Sequence, residues 1–116
     1  MNKLIVVIMG PGKKEFAEMC LESVKGADKI LYWTSKNIEE LTEEVNIDTT
    51  ITLLKNSWDK NDKTTNGKCR QEYLEYLKKE YPDDWCLVLD EDEILEEGGI
   101  EAIRTHMKER EPGLYN

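Results

Sequence analysis

Leu4-Ile5-Val6-Val7-Ile8-Met9 is an unbroken apolar run centred on four β-branched residues. It has no polar alternation, so the strand it forms must be covered on both faces. A chain of 116 residues is one domain by length. Such a chain covers both faces of a strand most simply by packing helices on either side of a sheet.

The remaining pattern supplies those helices. Gly10-Pro11-Gly12 breaks the first strand. Phe16, Met19, Cys20, Ser23 and Val24 then fall at helical spacing and predict one inward stripe, closed by Lys25-Gly26. Lys29 to Thr34 reads as a second strand. A short helix carrying Ile38 and Leu41 follows, then a third strand from Thr49 to Leu54. Lys55 to Asn66 is a polar loop without a pattern of its own, long enough to be either functional or a mobile surface loop. A helix from about Gly67 to Tyr81 turns Tyr73, Leu74 and Leu77 inward and is stopped by Pro82. Cys86 to Leu89 is a fourth strand. After Gly98-Gly99 a last helix carries Ile100, Ile103 and Met107 inward and ends at Glu111-Pro112-Gly113. The order βαβαβαβα predicts an α/β fold: a three-layer α/β/α domain over residues 1–116. Its sheet is mainly parallel and four-stranded, in order 3-2-1-4, with the first strand central. There is no internal repeat, linker or low-complexity segment.

The fourth strand runs straight into Asp90-Glu91-Asp92-Glu93. In an open α/β sheet, ligands bind just past the carboxyl ends of the strands. Two carboxylates held close together repel unless a cation or proton intervenes. Oxygen-only ligands suit a hard divalent ion, magnesium or manganese, which often also binds substrate phosphates. Asp90 and Asp92 are thus candidates for a metal–diphosphate site; the alternative is a solvated acidic turn that ends the strand and caps the next helix.

The formal net charge of −9, with 39% apolar and 35% charged residues, describes a globular chain rather than a disordered one. It argues against a nucleic-acid backbone or an anionic membrane surface as partner, since both need basic patches. No stretch is long and apolar enough to cross a membrane. Cys20, Cys69 and Cys86 are odd in number and widely spaced. They read as buried free thiols in a reducing compartment, which predicts a cytoplasmic protein.

Other candidates are fewer. Gly10-x-Gly12 resembles the start of a dinucleotide fingerprint, but position 15 is Glu15 and the second strand ends without an acid. Those glycines read as turn residues, or as places where backbone approaches a ligand base. His106, the single histidine, reads as a surface residue. Arg70 opens a helix at the same sheet edge as Asp90. It could hold a phosphate or base edge in its planar fork, or pair with Glu72 or another neighbouring carboxylate. Trp33 and Trp58 could stack on a base, or pack in the core.

Four segments, taken in order, resemble the N-terminal, nucleotide-binding half of a family-2 glycosyltransferase with a GT-A fold. They are Leu4–Met9 with Phe16–Val24, Ala27-Asp28-Lys29-Ile30-Leu31, Gly67-Lys68-Cys69-Arg70-Gln71, and Leu87-Val88-Leu89-Asp90-Glu91-Asp92-Glu93. The match extends to about Gly99. The resemblance implies a truncated nucleotide-diphospho-sugar transferase-like domain that binds a UDP- or GDP-type sugar. It implies that Asp92, with Asp90, binds manganese or magnesium, and that Asp90 also lies near the ribose. Arg70 would line the nucleotide pocket, and backbone at Met9, Gly10 and Pro11 would flank the base. The chain departs from the family where Trp33-Thr34-Ser35 stands in place of its base-reading acid, which leaves the base open. The acceptor half, with its catalytic base, has no counterpart here. Transfer would therefore call for a partner chain or a second copy. The same fold also suits a non-catalytic metal- or nucleotide-binding module or a regulatory subunit. A Toprim-like phosphotransfer domain would need a glutamate where Met9-Gly10 stands.

Overall fold

A computed structural model of the chain describes residues 3–34, 51–55, 61–108 and 114–115. The short helix expected around Ile38 and Leu41, residues 56–60 of the polar loop with Trp58, the first residues of the expected third strand and the expected stop of the last helix at 111–113 lie outside the described residues.

Among the described residues, five strands form one parallel sheet in the order β3-β2-β1-β4-β5. They are β1 (Leu4–Gly10), β2 (Lys29–Thr34), β3 (Ile51–Lys55), β4 (Trp85–Asp90) and β5 (Leu114–Tyr115). The four main strands keep the expected order 3-2-1-4, and β1 is central. The two-residue β5, which pairs in parallel with β4, was not expected: two residues carry no periodicity from which a strand can be read.

β1 is buried on both faces, as its composition demands. Leu4, Val6 and Ile8 join Tyr32, Leu87 and Leu89 under helix α1 (Lys14–Ser23) and helix α3 (Gly99–Met107). Ile5 and Val7 join Leu31, Trp33 and Cys86 under helix α2 (Thr65–Glu80). The alternation of a strand thus sends even and odd residues of β1 into two separate cores, giving the three-layer arrangement.

α2 buries Tyr73 and Leu77, with Leu74 half-buried, and Tyr76 meets Trp33 edge to face at 5.4 Å. Trp33 is therefore a core aromatic. α2 begins two residues earlier than expected. Asp62 prepares its start, accepting bonds from the Thr64 N–H at 2.8 Å, the Thr64 hydroxyl at 2.7 Å and the Lys68 ammonium at 2.6 Å. α3 buries Ile100, with Ile103 and Met107 packed against the same core.

α1 differs from expectation in its rotation. Phe16 is 42% exposed and Met19 56%, so neither is part of the inward stripe. The buried face is Ala17, Cys20, Leu21 and Val24, itself an i, i+3, i+4, i+7 set. α1 ends at Ser23, earlier than expected, so that Lys25 lies outside its last turn; Gly26 follows in the left-handed region at φ 102°.

At the amino end of the strands, Asp28 accepts from the Leu4 N–H at 2.8 Å and from the Arg104 guanidinium at 3.2 Å. This ties the α1–β2 turn to β1 and α3. Here too a groove of about 220 Å³ is lined by Leu4, Trp85, Leu87, Ile103 and His106. His106 is exposed, as expected, and lies edge-on to Trp85. The three cysteines are buried free thiols. Among the described residues no helix is long and apolar enough to cross a membrane.

Candidate functional site

The register of the sheet assembles the opposite, carboxyl edge. Met9 is the partner of Asp90 across β1 and β4, and Gly10 is the partner of Thr34 across β1 and β2. β2 and β3 run to one side of β1 and β4 lies on the other. The ends of β1 and β4 therefore flank the point where strand order reverses, the usual place for a ligand crevice. The β1–α1 loop and the acidic residues meet at that point.

The acids do not share one environment. Asp90, Asp92 and Glu93 are exposed, whereas Glu91 is 4% exposed. Its carboxylate turns under the β1–α1 loop. It accepts from the Gly12 N–H at 2.8 Å, the Lys13 N–H at 3.0 Å and the Tyr32 hydroxyl. Burial of a carboxylate is costly unless its oxygens are satisfied, and here Oε1 takes one bond and Oε2 takes two. Tyr32 is held as the neutral phenol: burial and then the Glu91 carboxylate both push its pKa up.

Helix α1 has no cap from a neighbouring side chain. Glu91 instead accepts from the N–H groups of Gly12 and Lys13, just before the helix, which sets its carboxylate beside the amino end of α1, where the helix dipole favours an anion. The two glycines make room for it. A Cβ at Gly10 would stand 2.3 Å from Glu91 Cγ, and Gly12 sits at φ 83°. Gly12 is the turn residue expected, whereas Gly10 is the last residue of β1 and leaves room for the Glu91 side chain. The space they leave is filled by the protein's own carboxylate.

The acidic turn is pinned at further points. The Glu91 N–H donates to the Met9 carbonyl at 3.0 Å and the Glu93 N–H to the Asp90 carbonyl at 2.9 Å. The Asp90 N–H donates to the Glu93 carboxylate at 2.7 Å, and the Leu95 N–H to the Ser23 hydroxyl at 3.1 Å. Cys20 of α1 lies directly beneath, its Sγ 3.9 Å from the Asp90 carbonyl. Burial, and then the charges of Glu91, Glu93 and Asp92, push the Cys20 thiol up to about 12. It is therefore an inert thiol.

Asp90 carries the electrostatic signature of the edge. Burial, Glu93 and Asp92 raise its carboxyl above the ordinary 3.8, and Arg70 opposes them. Tyr73 also feels both Arg70 and Asp90. The charge of Arg70 on α2 is thus felt at Asp90 at the end of β4, and Met9, the partner of Asp90 in the sheet, packs on the α2 side. Pro11 is exposed and Gly10 half-buried.

Among the described residues no three His, Cys, Asp or Glu side chains are grouped so as to hold a metal ion. A magnesium- or manganese-type site does not need three such side chains: such ions bind through one or two carboxylates and complete their shell with waters and substrate phosphates. Asp90 and Asp92 offer that donor set, with oxygens only and with mutual repulsion that a cation would relieve.

Glu91 is the residue that sequence reasoning missed. Within four consecutive acids nothing marks one as buried; the available signal was the pair Gly10 and Gly12 on the facing loop. Comparison with known protein families, with curated proteins and with solved structures finds no match.

Proposed function

We propose that the carboxyl edge of the sheet binds a nucleoside-diphosphate sugar through a divalent cation, and that the chain is a glycosyltransferase-like donor-binding domain. The observation that carries this reading is Asp90. It is set beside Met9 at the reversal of strand order, and its carboxyl is raised by partial burial and then by Glu93 and Asp92, with Arg70 opposing.

In this reading Asp92 is the main contact to manganese or magnesium and Asp90 the secondary one, also near the ribose. The ion, when bound, would neutralise charge on the departing nucleoside diphosphate. Arg70 offers a planar fork to a phosphate or base edge. Backbone at Met9, Gly10 and Pro11 flanks the base of a UDP- or GDP-type donor. Because Glu91 already fills the α1 side of the crevice, the donor would lie toward α2. A partner chain or a second copy would supply the acceptor wall. The buried thiols suit the reducing cytoplasm.

A second reading, a donor-binding module without transfer, is favoured by Glu91. Both of its oxygens are engaged, so this buried acid is not available as a base toward an acceptor hydroxyl. Calorimetry with manganese and a panel of nucleoside diphosphates and their sugars tests the binding. A donor-consumption assay with and without acceptors separates transfer from binding alone. Binding that is independent of metal would defeat the metal-bridged reading, and no binding of any donor would defeat both.

A further inference from the structure

We infer that Glu91 is the positioning residue of the acidic turn: its carboxylate fixes where Asp90 and Asp92 point. This inference rests on the metal reading above. Glu91 is the middle residue of the triplet and is anchored by three bonds to two other parts of the fold, the β1–α1 loop and β2. Its own N–H is fixed to Met9. With the middle side chain turned inward, both neighbours are left facing outward, and both are exposed. The absence of a Cβ at Gly10, where one would stand 2.3 Å from Glu91 Cγ, lets this anchor sit against β1. The loop that flanks the crevice and the acids that line it are therefore one unit, joined through the Glu91 carboxylate. Partners in an outer shell orient the groups that touch a metal, and their loss weakens metal binding without removing a ligand.

The test is manganese affinity of the full chain, read by electron paramagnetic resonance, in wild type, Glu91→Gln and Tyr32→Phe. Each variant is first shown to be folded by circular dichroism. Tyr32→Phe removes one anchor of Glu91 and changes no charge, so it isolates positioning from electrostatic attraction and serves alone if Glu91→Gln fails to fold. Positioning predicts roughly ten-fold weaker binding in Glu91→Gln and a smaller loss, in the same direction, in Tyr32→Phe. Unchanged affinity in Tyr32→Phe, whatever Glu91→Gln does, overturns the positioning role and leaves the metal reading standing. Absence of manganese binding in wild type overturns both.

Discussion

Tyr32 of β2 donates its hydroxyl to the carboxylate of Glu91, which follows β4. β1 lies between those two strands, so the bond passes across the end of the central strand and closes one side of the crevice there. Tyr32→Phe keeps the ring and removes this donor. A hydrogen bond to a charged group contributes about 1.5–3 kcal/mol, and urea denaturation should show a loss of that size.

Gly10 and Glu91 occupy one space. Gly10→Ala forces a Cβ into the Glu91 side chain, and overpacking of this kind costs about 1–3 kcal/mol. In the background of Glu91→Ala the clash is gone. The double variant should therefore be more stable than the sum of the two single losses predicts, by a coupling that a double-mutant cycle measures. Simple additivity would mean that the loop moves aside without cost.

Much of the architecture was legible because it depends on periods and runs. The uniform Leu4–Met9 run required cover on both faces, and the alternation of strand and helix patterns required a parallel sheet. The rotation of α1 was not legible. Cys20 and Val24 belong to both possible stripes, and the choice between Met19 and Leu21 turns on small differences in apolar size. The large side chains Phe16 and Met19 drew the expected stripe one residue away from the true one. The edge that sets Asp90 beside Met9 followed from strand order. The burial of Glu91 did not, since it depends on a tertiary fit to two glycines 79 and 81 positions earlier in the chain.

That rotation has a direct check. Met19→Glu on the exposed face should change stability by no more than about 0.5 kcal/mol. Leu21→Ala on the buried face should cost about 2–5 kcal/mol. Thermal or urea unfolding of the two variants distinguishes the faces, and the reverse order of effects would restore the expected stripe.

Asp90 gives a titration test. Its carboxyl lies above the ordinary value because of burial, Glu93 and Asp92, with Arg70 opposing. A group raised in this way binds its proton more tightly in the folded state. Its contribution to stability is therefore lost as pH rises through its titration and regained as pH falls. Carbon-detected NMR titration should show the Asp90 pKa rising further in Arg70→Ala and falling in Asp92→Asn. No change in Arg70→Ala would separate Arg70 from the site.

Asp28 should behave in the opposite sense. Burial pushes its carboxyl up, but the Leu4 N–H, the Arg104 guanidinium and Lys3 outweigh it and hold the group below 3.8. Its contribution is present above the unfolded pKa and is lost as pH falls through the folded one. In Arg104→Ala the Asp28 pKa should rise, and the acid unfolding midpoint should move to higher pH.

The central claim is that Asp90 and Asp92 hold a divalent ion that in turn holds a nucleoside diphosphate. Isothermal calorimetry of UDP and GDP, with and without manganese, on wild type and Asp92→Asn tests it most directly. The account predicts binding by wild type only when manganese is present. It predicts none by Asp92→Asn, whose fold should be intact or slightly more stable because a like charge has been removed. Equal binding by Asp92→Asn, or no manganese-dependent binding by wild type, would contradict the account and leave a solvated acidic turn.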